Sequence, residues 1–200
     1  MSKDRTTINK VTLETLYVKK GMSMSTIAKE LGCSVNRVVY WMDQHGIKRR
    51  SISDAIYLHK NPNGDPFKII TPTTLEEAKL LGLGIGLYWG EGTKANKHSV
   101  RLGNSNPHLI IAFIKFLTII CGVNKDHLKF GLQLFSDVSK NEALNFWTEA
   151  LSVKPSQFYK ITVTISGAIG TYRIKNKYGV LTIYYHNKKL RDALVSMLPT

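Results

Sequence analysis

Gly82-Leu83-Gly84-Ile85-Gly86-Leu87-Tyr88-Trp89-Gly90-Glu91-Gly92 is the stretch that decides the fold. Gly82, Gly86 and Gly90 stand four residues apart, so on a helix they line one stripe. Each glycine in a helix interior costs about 1 kcal/mol relative to alanine. Three on one face call for a reason, and close approach of another backbone supplies it. The stripe ends at Glu91, and Gly92 reads as the helix stop. A carboxylate there faces the negative end of the helix dipole, so a nearby cation is expected. The segment reads as built to bring two helices together and to present acids at the base of the crossing.

The rest of the chain fits a partner of opposite charge. It has 200 residues, 43% of them hydrophobic, and a net charge of +14. That is enough apolar content for a packed core and argues against wholesale disorder. Lys and Arg outnumber Asp and Glu two to one both in residues 1–70 and in residues 71–200. An excess spread over both parts points to a polyanion, with nucleic acid first. Cys33 and Cys121 lie far apart and form no CxxC, so no disulfide framework is expected and the chain reads as cytoplasmic. The polar start shows no signal peptide. The longest apolar run, Leu109 to Cys121, is too short to span a bilayer and contains Lys115, so no membrane partner is expected.

Punctuation divides the chain into residues 1–50, a linker at 51–74 and a second domain at 75–200. Residues 1–10 are polar and read as a frayed end. Thr12, then Ser23 or Ser25, then Ser34 can cap three short helices, which stop at Gly21, Gly32 and Gly46. Leu13, Leu16, Tyr17, Ile27, Ala28, Leu31, Val35, Val38, Val39 and Met42 have the spacing of their shared core. The Asn61-Pro62-Asn63-Gly64-Asp65-Pro66 and Thr71-Pro72 stretches carry turn and linker chemistry. Beyond them the pattern predicts helices at 75–90, 107–121, 141–151 and 188–198. Strands are predicted at 98–103, 128–135, 158–165 and 180–186. Their alternation predicts an α+β domain with an antiparallel sheet, helices on one face and a solvated basic second face. Phe113, Phe116, Phe146 and Trp147 read as helical core.

Ser25-Thr26-Ile27-Ala28-Lys29-Glu30-Leu31-Gly32-Cys33-Ser34-Val35-Asn36-Arg37-Val38 resembles a helix-turn-helix of the resolvase and regulator type. Ala28 permits helix contact, Gly32 makes the turn and Ser34 opens the second helix. The outer side of that helix offers Asn36, Arg37, Tyr40, Trp41 and Gln44. Asn, Gln and Arg are the side chains that pair with purine edges in a major groove. Lys48, Arg49 and Arg50 follow directly and are candidates for phosphate or minor-groove contact.

Gly84 to Gly92 resembles the signature helix of LAGLIDADG homing endonucleases. Gly86 and Leu87 fit the third and fourth positions, Gly90 the small seventh, Glu91 the acidic eighth and Gly92 the ninth. Ile85 departs from the usual small second residue. The order of elements over residues 75–198 is close to the family's αββ repeat, with the first strand shortened to polar Thr93 to Lys97. The chain carries one such motif, so the resemblance implies a homodimer that packs Gly82, Gly86 and Gly90 of two copies together. It implies Glu91 as the metal ligand, with Mg²⁺ between scissile phosphates. It implies a polar residue near the active site at Asn104, a catalytic lysine at the end of the last strand at Lys188 with His186 beside it, and a sheet that meets double-stranded DNA. Lys94, three residues past Glu91, is a further catalytic candidate by its position, for contact with the scissile phosphate. Arg101, Lys129, Gln133, Lys160, Thr162, Thr164 and Tyr184 are candidates for that contact, although alternation alone does not say which face is outward.

Two functions are expected from this reading. The first is a site-specific, Mg²⁺-dependent endonuclease of double-stranded DNA that acts as a homodimer. The alternative is a sequence-specific transcription regulator that binds through the same scaffold without cutting.

Overall fold

The computed structural model describes residues 7–165 and 177–199. The chain divides into two compact units, Met1–Asp65 and Pro66–Thr200. No helix among the described residues is long and apolar enough to cross a membrane.

The first unit starts earlier than its sequence suggests. Residues 1–6 of the expected frayed end lie outside the described residues, but Ile8 is already buried in the core. Asn9, not Thr12, caps α1 (Lys10–Leu13), accepting from the Val11 N–H at 2.9 Å. The helix continues as π-helical turns over Glu14–Lys19. Ser23 caps α2 (Met24–Glu30) and Ser34 caps α3 (Val35–Gln44). Gly32, at φ +59°, makes the turn between α2 and α3, a conformation that costs a residue with a Cβ. Leu13, Leu16, Tyr17, Ile27, Ala28, Val38, Met42 and Ile47 close the core with Ile8. Leu31 and Val35, expected inside, flank the turn and are exposed.

Two corrections concern the segment after α3. Arg50 is built into this unit. Its guanidinium lies 3.8 Å over the Tyr17 ring, donates to the Gly21, Tyr17 and Met22 carbonyls, and sits beside an Arg50 N–H that donates to the Tyr17 hydroxyl. A guanidinium that satisfies helix-end carbonyls and stacks on a ring acts as a clasp. The stretch expected to be a linker also holds a helix, α4 (Ile52–Lys60), capped by Ser51. Ser51 followed by Asp54 is itself a start signal, and turn chemistry begins only at Asn61.

Among its described residues the second unit packs helices on a four-stranded sheet. A capping box between Thr74 and Glu77 starts α5 (Leu75–Glu91). Backbone and side-chain hydrogen bonds from Thr73 hold the Glu77 carboxyl below its ordinary value. Then come β1 (Val100–Asn104), α6 (Pro107–Lys115) with π-helical turns at Phe116–Ile120, β2 (Lys129–Phe135), α7 (Lys140–Leu151), β3 (Thr162–Thr164), β4 (Val180–Tyr185) and α8 (Lys188–Ser196). The strand order is β1-β4-β2-β3. The sheet is mixed rather than antiparallel, because α7 returns the chain so that β3 runs parallel to β2.

Alternating residues Val100, Leu102, Phe130, Leu132, Leu134, Leu181 and Ile183 point inward against Phe113, Phe116 and Trp147, all buried. Each such side chain contributes about 1.5–3 kcal/mol of transfer free energy. Phe146 is half-buried and stacks on Tyr178. Gly84 marks the tightest helix crossing. A Cβ there would lie 2.0 Å from the Phe116 ring, so α5 settles on the α6 extension at glycine distance.

Candidate nucleic-acid interface

The opposite wall of α5 has no cover among the described residues of its own unit. A Cβ added at Gly82, Gly86 or Gly90 meets nothing within 4 Å. Leu83 and Trp89 on the same wall are 49% and 55% exposed. Contact with the Phe116 ring therefore explains Gly84, but no contact among the described residues explains the expected stripe.

Glu91 ends this helix exposed, and its carboxylate has no hydrogen-bond or ion-pair partner among the described residues. The Lys94 Nζ donates to the Trp89 carbonyl at 2.5 Å. Gly92 is not a left-handed stop. Its φ is −72°, it bridges to Leu102, and a Cβ there would lie 2.3 Å from the Tyr88 carbonyl oxygen. The helix thus runs directly into the sheet edge, where the Thr93 N–H donates to the Arg101 carbonyl.

Arg191 of α8 holds the loop beyond that edge. It donates to the Lys94 carbonyl (2.5 Å), the Asn96 carbonyl (3.0 Å) and Asp192 Oδ1 (2.9 Å). Lys188 Nζ donates to Asp192 Oδ2 at 2.5 Å, so Lys94 and Lys188 belong to one network. Burial pushes the Asp192 carboxyl up, but hydrogen bonds from Lys188 and Arg191 prevail and leave it below its ordinary value. Tyr88, fully buried, keeps a hydroxyl with no hydrogen-bond partner among the described residues, and burial raises its pKa. The Asn104 side chain accepts from the Asn106 N–H and shapes the turn before α6. Lys94, Lys188 and Asn104 are therefore all engaged, while Glu91 has no partner among the described residues.

The outer face of the sheet gathers most of the expected contact residues. Arg101, Tyr184 and Lys129 form one row across three strands, and Gly103, Thr182 and Gly131 form the next. Gln133 pairs with Thr162 and donates to the Thr164 hydroxyl at 3.3 Å. No Asp or Glu occurs in any of the four strands. The strand expected at 158–165 is shorter than its pattern. Phe158 bridges to Phe130, whereas Thr162 pairs with Gln133, so the register slips by one residue between them. This bulge lets Phe158 pack inward on Phe130 and brings Tyr159 to the ring of Tyr184.

In the first unit, Asn36, Tyr40 and Gln44 are exposed at i, i+4 and i+8 on α3, one stripe along the helix. Arg37 is half-buried and turned into a cleft with Ile8, Asn9, Thr12, Leu31 and Cys33. Trp41 is partly buried against the core and stacks on His45. Lys48 and Arg49 are exposed, the latter 3.9 Å from Asp43.

Tyr159 and Arg191 were not among the residues expected from sequence. Period-two counting through a bulge misplaces Tyr159. Arg191 meets Lys94 and Asn96 across almost the whole second unit, a distance that no local pattern spans.

Compared with family models, curated proteins and solved structures, the chain matches none. Among the described residues no group of three or more His, Cys, Asp or Glu side chains could hold a metal ion.

Proposed function

We propose that this chain is a site-specific binder of double-stranded DNA that acts as a homodimer and hydrolyses the phosphodiester backbone with a divalent metal. Glu91 carries the reading. It is an exposed carboxylate without a partner among the described residues, at the negative end of a helix, in a chain of net charge +14. One carboxylate per chain is not a metal cage. Mg²⁺, however, binds through one or two carboxylates completed by phosphate oxygens and water, and Glu91 from each of two copies matches that donor chemistry. Once bound, the ion would stabilise charge on the phosphate and acidify a coordinated water.

The chain's own residues supply binding and placement. The α5 wall of Gly82, Gly86, Gly90, Leu83 and Trp89 is the contact between copies. Arg101 and Lys129 hold phosphates, and Gln133 faces base edges. Asn36, Tyr40 and Gln44 read a second segment, with Lys48 and Arg49 on its backbone. Arg50 is not a contact in this reading, because its donors are spent on Tyr17, Gly21 and Met22.

One observation favours a regulator that binds without cutting. Lys94 and Lys188, the expected catalytic cations, are held by the Trp89 carbonyl and by Asp192. A plasmid-library cleavage assay with Mg²⁺ separates the two readings. Cutting by the native chain that disappears in Glu91→Ala supports the nuclease. Specific, salt-sensitive binding with no cutting supports the regulator. Absence of any DNA binding at low salt rejects both.

A further inference from the structure

Three aromatic rings form a corner at one end of the outer sheet face. Tyr184 and His186 lie with near-parallel planes, 23° apart and 6.1 Å between centroids. Tyr159 stands across them, at 81° to Tyr184 with 5.5 Å between centroids. Its hydroxyl is hydrogen-bonded to His186 Nε2 at 2.7 Å, which fixes the corner. Tyr159 is 43% exposed and His186 is exposed, so the rings are presented to solvent rather than packed away.

The surroundings are cationic and flat. The Arg101 guanidinium lies 5.1 Å over the Tyr184 ring, and Lys129 sits on the other flank of the same row. The adjacent row is Gly103-Thr182-Gly131, where the Thr182 hydroxyl lies against Gly103 and the Tyr184 ring against Gly131. A Cβ at Gly131 would stand 3.0 Å from the Tyr184 ring, so the ring lies close over that glycine. Burial and the Arg101 charge hold His186 below the usual histidine value, which keeps its ring neutral near pH 7.

Exposed tyrosines on a protein surface usually stand singly. A rigid group of rings flanked by Arg and Lys, with no carboxylate in the strands, has the chemistry of a stacking platform for bases. Aromatic faces take up unstacked bases of any sequence, and the neighbouring cations hold the phosphates. A base inside an intact duplex has no face to offer, because its neighbours already cover both sides.

We propose that the Tyr159–Tyr184–His186 corner is a stacking site for an unpaired base of the bound DNA, so that this face prefers a gapped or locally opened strand over a fully paired one. The proposal rests on the reading that the outer sheet face contacts DNA.

The test uses the full chain and fluorescence anisotropy with a labelled duplex. The same duplex carrying a three-nucleotide single-stranded gap is compared with it, and 2-aminopurine in the gap reports stacking directly. The gapped DNA should bind about tenfold more tightly than the matched duplex, with quenching of 2-aminopurine. Tyr159→Ala should abolish the preference and the quenching, whereas Tyr159→Phe, which keeps the ring, should retain most of both. Tyr159 is surface-exposed, and a thermal melt verifies that Tyr159→Ala still folds. If matched and gapped duplexes bind equally and Tyr159→Ala changes neither, the stacking site is overturned while the DNA reading stands. If neither duplex binds at low salt, the DNA reading itself falls, and this site with it.

Discussion

Gly84 and Gly86 stand two residues apart on α5 and meet opposite surroundings. A Cβ at Gly84 would lie 2.0 Å from Phe116 Cγ, whereas one at Gly86 would meet nothing within 4 Å. The same residue type therefore answers two different demands. Gly84 permits the helix to touch the core of its own chain. Gly86, with Gly82 and Gly90, lines a wall where an added Cβ meets no described atom within 4 Å.

Alanine substitution separates the two. Gly84→Ala forces Phe116 or the helix to move and is expected to lower stability by about 1–3 kcal/mol. Gly86→Ala adds a methyl in open space and removes glycine's backbone entropy, so it should raise stability by about 0.5–1 kcal/mol. Urea denaturation measures both. Sedimentation on DNA then reads the proposed dimer, which a larger Gly86→Leu should disrupt. A dimer that tolerates Leu at 86 does not use this wall.

Arg49 and Arg50 should behave differently despite being adjacent. Arg50→Ala removes the donors that satisfy three carbonyls and the contact with Tyr17, so it should cost the first unit about 1–3 kcal/mol. Arg49→Ala leaves stability within about 0.5 kcal/mol, because its pair with Asp43 is exposed and long. On DNA the order reverses. Arg49→Ala should reduce the salt slope of binding by about one. Equal stability losses for the two variants would contradict the clasp.

The two cysteines should also separate. Cys121 is fully buried, and burial pushes its thiol up to about 12, whereas Cys33 is half-exposed beside Arg37. A thiolate is the reacting species, so Cys33 should react first with a disulfide reagent in the native protein. Cys121 should react only after unfolding. Fast native reaction of both thiols would show that the second unit opens readily.

His186 sets a pH dependence with a definite sign. Burial first, and Arg101 second, hold its folded pKa below the ordinary value. The neutral ring is thus the form favoured by folding. Its contribution to stability is complete above the unfolded value, about 6.5, and is lost as pH falls through the folded one. An NMR titration should place the midpoint below about 6.5, and Arg101→Gln should move it upward. A midpoint at or above the ordinary value would remove Arg101 and burial as the cause.

Local chemistry made much of the architecture readable. Ser23, Ser34 and the Thr74–Glu77 box are caps whose partners lie within a turn, so their helices begin where the residues say. Asn106 followed by Pro107 opens α6 in the same way. Alternation in β1, β2 and β4 fixed which residues share a face, since side-chain period two is a property of any extended chain. The failures have the same origin seen from the other side. The polar start hid Ile8, which is buried only because α3 and α1 surround it. The one-residue slip between Phe158 and Thr162 is set by the pairing partner, so counting along the strand could not place Tyr159.

The sequence by itself determined where the capped helices α2, α3, α5 and α6 start, the excess of positive charge and the alternation of β1, β2 and β4. These depend on neighbours within a few residues. Tertiary structure alone decided which way the sheet faces, that β3 runs parallel to β2, and that Arg50 is a clasp. It also decided that Lys94 and Lys188 are engaged while Glu91 has no partner among the described residues. Each of those depends on groups far apart in the chain that meet only when the core closes, and burial and hydrogen bonding between them leave no local trace.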